Sequence, residues 1–244
     1  IDTVGDRGLE TPAVKALLQR NIEGLIVATD YHSTVSLPRV PRHLPVVVLD
    51  GTPGPEERAA DWVVPDEAGG AAAATRHLLE AGHRRIAMCN LADERYVARR
   101  LRREGYETAL RAAGLTPDPE LHVEAADLTA EAAREAAMSL LLRPDRPTAV
   151  FCFSDKLAFG IYQTAAQLGL RIPEDLSVIG FDNQPFLAES VLPPLTTVQL
   201  PHEPMGDWAV RQLIRRISDG ADAPTAHHLA PCPLIIRESV APPH

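Results

Sequence analysis

Short apolar, β-branched runs alternate with helix-forming stretches along almost the whole sequence, and this alternation restricts the possible folds more than any other feature. Residues 24–29 and 45–50 are continuous, mostly apolar runs of the kind found in strands that helices cover on both faces. After Gly82 the alternation of strand and helix patterns starts again. The sequence therefore predicts an α/β protein with two tandem Rossmann-like blocks, each built on a parallel sheet.

The predicted elements follow one another without a low-complexity segment or an internal repeat. Strands are predicted over 24–29, 45–50, 62–64, 85–90, 121–124, 148–153, 176–181, 195–200, 226–229 and 234–238. Helices are predicted over 11–20, 66–82, 93–113, 129–142, 155–168 and 203–218. Thr11 and Pro12 are typical of an N-cap and a first-turn proline, and Asp66 is a good N-cap for the second helix.

The charge balance bears on the kind of partner. The chain contains 24 Lys and Arg residues against 33 Asp and Glu residues, which gives a net charge of −9. Nucleic-acid binding rests on the neutralisation of phosphates by a positive surface, so this chain is not expected to wrap DNA or RNA with its own surface. The expected ligand is a small molecule.

The number and spacing of the cysteines and the length of the apolar runs indicate the cellular compartment of the protein. Cys89, Cys152 and Cys232 are an odd number, lie far apart and form no C-x-x-C pair, which is typical of reduced core thiols. The apolar stretches are shorter than the roughly 20 residues that a membrane span requires. We therefore expect a cytoplasmic protein without a membrane partner.

Polar residues follow many of the predicted strands. Ligands of open parallel sheets bind beyond the carboxyl ends of the strands, so these residues are the first candidates for a site. They are Asp30, Tyr31, Asp50, Asn90, Asp127, Ser154, Asp155, Asp182 and Asn183. Each also has a structural interpretation, which is the more common one for a single residue: Asp155 is a good N-cap, and Asp182 is suited to closing a turn. Together they predict a crevice rich in hydrogen-bond acceptors at the carboxyl ends of the strands. We call this crevice the mouth, and it suits hydroxyls or amines better than phosphate.

Signatures of catalysis and of cofactor binding are missing from the sequence. No G-x-G-x-x-G follows a strand, no G-x-x-x-x-G-K-[ST] is present, and Ser154 does not lie in a G-x-S-x-G motif. The histidines form no H-E-x-x-H pattern, and packing explains His227 and His228 better than metal binding does. We therefore expect no enzyme activity, no cofactor and no metal site.

One arginine cluster follows Asn90. Its members are Arg95, Arg99, Arg100, Arg102 and Arg103. A solvated helix face is the preferred explanation for most of them, but at 3.6 residues per turn they cannot all point the same way. One arginine turned toward the mouth could use its rigid set of donors to bind sugar hydroxyls or a carboxylate.

Four segments resemble a known family. Residues 78–87, 147–160, 169–183 and 194–198 are similar, in this order, to the effector-binding region of the LacI/GalR family of bacterial transcriptional regulators. The string IPEDLSVIGFDN within 172–183 separates this family from the periplasmic sugar-binding proteins that share its fold. The resemblance covers essentially the whole chain.

The resemblance implies a fold and a mechanism. It implies a periplasmic-binding-protein-like type I fold, in which two parallel-sheet lobes are joined by three crossover hinges. The lobes would be 1–82 with 198–222, and 84–194 with 226–244, and the hinges 82–83, 195–198 and 221–224. Such regulators are homodimers that bind a sugar, a nucleobase or a related molecule between the lobes. Ligand binding then alters how N-terminal helix-turn-helix domains contact operator DNA.

The resemblance also assigns roles to single residues. Arg102 matches the family arginine three positions before the Gly-aromatic pair 105–106, which usually holds the effector. Asp155 matches an aspartate that accepts hydrogen bonds from the effector, and Asp182 lies in the G-[FY]-D motif at the cleft. Tyr96 and Leu128 fall at variable positions that set selectivity, and Tyr31 in the mouth completes the predicted ligand-binding set.

Departures from the family pattern leave the effector open. Leu128 is aliphatic where an aromatic residue often stacks on the ligand, and Ser154 replaces a common Asn. Residues 90–91 are Asn-Leu where a Gly is common, and Leu200 stands where a Gln would be usual. Inducer and co-repressor roles both stay open, as does the operator sequence.

Two alternatives to a regulator core remain at this point. A solute-binding protein of a transporter has the same lobes, but it would need an export signal and no dimer. An α/β enzyme has only the strand-end carboxylates in its favour.

The beginning of the sequence suggests missing residues. Residues 1–6 resemble the end of a second strand, and in this sheet order a first strand lies between the second and the third. Without it those two strands would lie about 10 Å apart, which is twice the interstrand spacing. We therefore expect that upstream residues, including the helix-turn-helix domain, are absent from the sequence as given, or that another segment fills this position.

Overall fold

The computed structural model describes residues 7–220 and 224–244. The residues expected at the end of the second strand, 1–6, and most of the third expected hinge, 221–223, lie outside this range. The chain forms two compact units, the first up to Pro65 and again over Pro201–Ala230, and the second over Asp66–Leu200 and Pro231–His244. It therefore crosses from one unit to the other three times.

Helices and strands alternate as the apolar pattern predicts. The helices are α1 Arg7–Leu18, α2 Glu67–Glu80, α3 Val97–Ala112, α4 Ala130–Leu141, α5 Asp155–Gln167, α6 Pro185–Ala188 and α7 His202–Asp219. The strands are β1 Leu25–Val35, β2 Val46–Pro53, β3 Asp61–Pro65, β4 Ile86–Leu91, β5 His122–Ala125, β6 Ala149–Cys152, β7 Ser177–Asp182, β8 Thr196–Gln199, β9 His227–Ala230 and β10 Leu234–Ile235. A 3₁₀ turn, Pro119–Leu121, precedes β5.

The first unit is built on a parallel sheet with the strand order β1-β2-β3-β9. Helix α7 places Met205 and Ala209 against Val47 and Val63, and these residues form a buried apolar cluster. A separate cluster around Val46 and neighbouring apolar residues is also buried. Burial on both sides of β2 explains why its sequence is continuously apolar.

The second unit is built on a six-stranded sheet with the order β10-β8-β7-β6-β4-β5. All described pairs in it are parallel except β10 with β8. Helix α2 packs on α3, and α4 packs on α5. The two helix pairs contribute to separate apolar clusters, one containing Met88 and Phe151 and the other Cys89 and Cys152. This arrangement of mainly parallel sheets confirms the predicted α/β fold class.

Several element boundaries differ from the sequence prediction. Helix α1 begins at Arg7, so Pro12 lies inside it rather than in the first turn and removes one backbone donor from the helix. Helix α3 begins at Val97 rather than at residue 93. Helix α5 is capped by Ser154, whose hydroxyl accepts from the Leu157 N–H, and not by Asp155. Strand β1 continues beyond residue 29 because 33–35 pair with 51–53 after an irregularity.

The three crossovers also lie elsewhere than expected. Helix α2, expected in the first lobe, belongs to the second unit because it packs on α3, and the chain crosses after Pro65. Strand β8, expected as a hinge, pairs with β7, so the second crossover follows Leu200. Strand β9, expected in the second lobe, pairs with β3 in the first unit, and the third crossover follows Ala230.

Close packing of α2 on α3 depends on a glycine. A Cβ atom at Gly105 would lie 2.2 Å from the backbone oxygen of Ala68 and 2.9 Å from the Cβ of Ala71. Because both neighbours belong to a helix packed against the sheet, an added methyl group would force the helices apart. None of the described helices is long and apolar enough to cross a membrane.

We predict that Gly105→Ala lowers the free energy of unfolding by about 1–3 kcal/mol through overpacking. The matched control is Gly206→Ala in α7, where the added Cβ meets no heavy atom within 4 Å. This control should raise the free energy of unfolding by about 0.4–1 kcal/mol, because alanine restricts the unfolded chain. Urea denaturation of both variants measures the difference, and equal stabilities would contradict the packing argument.

Candidate functional site

Side chains from four elements meet near the carboxyl ends of β6 and β7 in the second unit. Phe153 follows β6, Phe181 and Asp182 end β7, Arg102 lies on α3, and Glu67 begins α2. The two strands are parallel and in register, so the residues after them lie at the same edge of the sheet. We call this group the Arg102 site.

Arg102 is the centre of the site and is only 3% exposed. Its Nε donates to Glu67 Oε2 at 2.7 Å, and its Nη1 donates to the Phe153 carbonyl oxygen and, at 3.5 Å, to Asp182 Oδ1. Its Cζ lies 3.6 Å from the centroid of the Phe181 ring and 4.4 Å from that of Phe153. Hydrogen bonds and cation–π contacts thus hold the guanidinium plane in one orientation.

The second terminal nitrogen of Arg102, Nη2, differs from Nε and Nη1 in its contacts. Within the described part of the chain, no hydrogen bond from Nη2 is present. A guanidinium has five N–H donors, so the two on Nη2 are available to a ligand in a fixed direction. The carboxylate of Asp182 lies beside the same guanidinium and offers acceptor atoms. A donor pair next to an acceptor is the arrangement that binds hydroxyl, amide or ring N–H groups.

Burial sets the protonation of the site. Burial raises the pKa of Asp182 to about 7; Arg102 opposes this rise, and the carboxylates of Asp155 and Glu67 add to it. Burial alone would lower the pKa of Arg102, but the attraction of Glu67 and Asp182 raises it, so the guanidinium stays charged. Near neutral pH Asp182 therefore exchanges between a carboxylate acceptor and a carboxylic acid donor.

Asp155 lies next to the site, and each of its carboxylate oxygens accepts a hydrogen bond from the protein. It is 0% exposed; its Oδ1 accepts from Thr197 Oγ1 at 2.5 Å and its Oδ2 accepts from the Gln184 N–H at 2.8 Å. Burial raises its pKa to about 6 although both hydrogen bonds lower it. Only glycine fits at position 180, because a Cβ there would lie 2.2 Å from Oδ1. Asp155 thus fixes the segment that carries Asp182 and Gln184.

The three other residues of the predicted ligand-binding set lie in different parts of the structure. Tyr96 is the N-cap residue of α3, and its ring meets that of Phe153 edge-on, with centroids 6.2 Å apart. Leu128 is partly buried against the apolar cluster that contains Phe153. Tyr31 lies in β1 of the first unit, and its role in ligand binding stays a prediction.

Several strand-end residues have structural roles. Asn90 Oδ1 accepts from the Leu91 N–H, and its amide donates to the Arg99 carbonyl oxygen. Asp127 accepts from the backbone N–H and the hydroxyl of Thr129. The amide of Asn183 joins the Gln199 and Arg237 side chains. For these three residues the structural interpretation fits better.

The arginine cluster divides as the helical period requires. Arg95, Arg99, Arg100 and Arg103 pair with nearby carboxylates on the surface. Arg102 is the member that turns inward. The predicted solvated face and the predicted inward arginine therefore both exist on this helix.

The sequence did not single out Glu67, Phe153 or Phe181. Glu67 follows the Asp66 N-cap, where an acidic residue is explained by the helix dipole alone. The two phenylalanines end apolar strands and are indistinguishable by pattern from core residues. Pairing and stacking with a residue on another helix carry no local sequence signal.

The site suits an organic ligand rather than an ion. Among residues 7–220 and 224–244, no group of three or more His, Cys, Asp or Glu side chains could hold a metal ion. The Arg102 site itself offers one guanidinium, two carboxylates and two aromatic faces, a set that matches polar ligands with hydroxyl or ring N–H groups.

The fold is that of an α/β protein of the periplasmic-binding-protein type, and comparison with known proteins narrows this class. Residues 75–240 match the family model of the periplasmic binding protein-like domain. The chain is 32% identical to the HTH-type transcriptional repressor PurR of Photobacterium profundum, over 98% of this chain and 70% of that protein. It is 34% identical to the ribose operon repressor of Escherichia coli, over 89% of this chain and 65% of that protein.

Comparison with solved structures leads to the same class of protein. A LacI-family transcriptional regulator from Rhizobium etli matches with a TM-score of 0.87 and 28% identity, over 99% of this chain and 86% of that one. The complex of the regulator CelR with cellobiose matches with a TM-score of 0.74 and 31% identity, over 95% of this chain and 70% of that one. The chain belongs to the LacI/GalR family of transcriptional regulators, and it spans 61–70% of the length of the curated PurR relatives.

We predict that Asp182 makes stability depend on pH. An unfolded aspartate titrates near pH 3.9, whereas folded Asp182 titrates at about 7. The folded protein binds this proton more tightly, so Asp182 lowers the free energy of unfolding progressively as the pH rises from about 4 to about 7. Asp182→Asn keeps the shape of the protonated form, and the fall in stability between about pH 5 and about pH 8 should become smaller.

The control for this prediction is Asp127→Asn. The Thr129 hydroxyl and N–H hold the pKa of Asp127 below its usual value, so this residue does not titrate between about pH 5 and about pH 8. Urea unfolding at the two pH values should therefore show wild-type pH dependence in the control. The same dependence in Asp182→Asn would contradict the prediction.

Proposed function

We propose that this chain is the effector-binding core of a transcriptional repressor, in which a sugar or a related polar metabolite binds at the Arg102 site and alters the affinity of a homodimer for operator DNA. The observation that carries the proposal is the buried, fully oriented guanidinium of Arg102, whose Nη2 has no hydrogen-bond partner in the described chain. A guanidinium that the protein already holds in one orientation can offer its remaining N–H donors to a ligand without a further loss of side-chain freedom.

The neighbours of Nη2 indicate the ligand class. Sugar hydroxyls both donate and accept, and they match the Arg102 donors beside the Asp182 acceptor. Tyr96 and Phe153 supply apolar surface next to these groups. Two structural neighbours are described with cellobiose and with ribose bound, and their ligands support a carbohydrate for this chain as well.

An enzyme is the weaker interpretation of the same residues. Both oxygens of Asp155 are held by Thr197 and Gln184, and Asp182 pairs with a buried arginine rather than with a nucleophile. The relatives named above are transcriptional repressors, which also argues against the solute-binding protein of a transporter. Binding without turnover fits these carboxylates best.

The site is linked to an exposed apolar surface by one short segment. Residues 182–184 contain Asp182 and the Gln184 N–H that Asp155 binds, and α6 follows directly. Phe186, within α6, is 91% exposed, and Leu192, after this helix, is 86% exposed. Large exposed apolar side chains favour a protein partner, and we assign this surface to the second copy of the homodimer.

This link supplies a physical route for regulation. A ligand shifts a two-state equilibrium only through its different affinity for the two states, with coupling of about 1–3 kcal/mol in typical cases. Contacts with Arg102 and Asp182 restrain the segment that also carries the proposed dimer surface. Operator DNA is the further proposed partner. It would be contacted through a helix-turn-helix domain that is not part of the 244 residues. The proposed place of action is the cytoplasm.

We predict that Arg102→Lys weakens effector binding at least about tenfold, because lysine keeps the charge but lacks the second terminal nitrogen. Thermal unfolding in the presence of pentoses, hexoses, disaccharides and purine bases identifies the effector by the rise in melting temperature. The control is Arg100→Lys, whose exposed arginine pairs only with Glu104. An equal response of Arg102→Lys and the wild type to the effector would refute the assignment.

We predict that the double variant Phe186→Ser/Leu192→Ser is monomeric where the wild type is dimeric, because both side chains lose apolar contact area. Light scattering coupled to size exclusion measures the mass of each protein. Leu229→Ser, at an exposed leucine of the first unit, is the control and should remain dimeric. A monomeric wild type would rule out the homodimer.

A further inference from the structure

A second candidate site lies in the first unit, at the amino ends of β2 and β3. It is a cavity of about 290 Å³ with three arginines, Arg42, Arg58 and Arg216, in its lining. Leu44, Val46 and Ala60 contribute apolar surface and are themselves buried. We call it the arginine cavity. No residue of the Arg102 site belongs to it.

Two loops and one helix hold the arginines in place. Arg42 lies in the turn closed by the bond from the Leu44 N–H to the Pro41 carbonyl oxygen. Arg58, in the connection from β2 to β3, donates from Nη2 to the Leu44 carbonyl oxygen at 3.2 Å. Arg216 lies near the end of α7, and its Nε is 3.1 Å from Asp61 Oδ2.

The described lining of the arginine cavity carries positive charge. The described residues that line it include no acidic side chain. Asp61 is paired with Arg216, and its Oδ1 also accepts from Gln212 and from the Ala226 N–H, so this carboxylate does not serve Arg42 or Arg58. Burial, and then the like charge of Arg216, lower the pKa of Arg58. A counter-anion in the cavity would relieve this repulsion.

We propose that the arginine cavity binds a small phosphate monoester, with the phosphate between Arg42 and Arg58 and its carbon stem against Leu44 and Val46. Guanidinium groups match the geometry of phosphate oxygens through paired N–H donors. The volume of about 290 Å³ suits a small metabolite and lies just below the range common for drug-sized ligands. The proposal is independent of the proposed function, because the arginine cavity and the Arg102 site share no residue.

The test is thermal unfolding of the whole chain with inorganic phosphate and with glycerol phosphate, at constant ionic strength set by sodium chloride. Glycerol serves as the ligand without phosphate. We expect a saturable rise in melting temperature with both phosphates and none with glycerol. Arg42→Gln and Arg58→Gln should each weaken the response at least about tenfold, since each removes charged hydrogen bonds.

Two control variants test whether the phosphate response is specific to the arginine cavity. Arg39→Gln removes an exposed arginine from the same loop outside the cavity and should respond as the wild type does. Arg102→Lys should also keep the phosphate response, which separates this site from the effector site. If Arg58→Gln does not fold, the phosphate response of Arg42→Gln alone tests the proposal, because Arg42 is exposed.

Three results would overturn the proposal. The first is the absence of a saturable response to either phosphate. The second is an equal response in Arg42→Gln and the wild type. The third comes from a short DNA duplex tested at the same ionic strength: a stabilisation that depends on Arg42 and Arg58 and that glycerol phosphate does not produce would assign the cavity to nucleic-acid phosphates instead.

Discussion

The buried guanidinium of Arg102 is the interaction on which the second unit and its site depend. An ion in the protein interior is costly unless it is paired and its hydrogen-bond donors are satisfied. The partners of Arg102 come from the start of α2, the residue after β6 and the end of β7, so three separate elements must be placed correctly before the charge is accommodated. The same contacts leave one terminal nitrogen without a hydrogen bond in the described chain, and this nitrogen is the basis of the proposed effector site.

The hydrogen bonds of Asp155 support the contacts that surround Arg102. Asp155 holds Thr197 of β8 and the backbone of Gln184, and in this way it positions the segment that carries Asp182. The absence of a side chain at Gly180 leaves the room that this carboxylate occupies. Family resemblance predicted Asp155 as a direct ligand of the effector, and this stays a prediction. In the structure each of its oxygens already accepts a hydrogen bond from the protein.

Much of the fold was predictable from local patterns. Continuous apolar runs predicted β2, β4, β6 and β7, and the predicted cap Asp66 marked a helix start that the structure has. The helical period predicted that the arginines after Asn90 would not all face the same way, and Arg102 is the one that is buried. The crossovers and the membership of α2 and β9 were not predictable in the same way. They depend on which helices pack together and which strands pair, as α2 with α3 and β3 with β9 do, and such contacts between separate elements leave no mark on the local sequence.

The sequence by itself determined the α/β class, the order of most elements and the family to which the chain belongs, because periodicity, capping and short motifs are local properties. Only the tertiary structure decided that Glu67 and two phenylalanines surround Arg102, that Asp155 is enclosed by protein donors, and that Arg42, Arg58 and Arg216 meet around one cavity. Each of these depends on side chains from different elements meeting at one point. The free energy of a buried charge is set by such neighbours and not by its position in the chain.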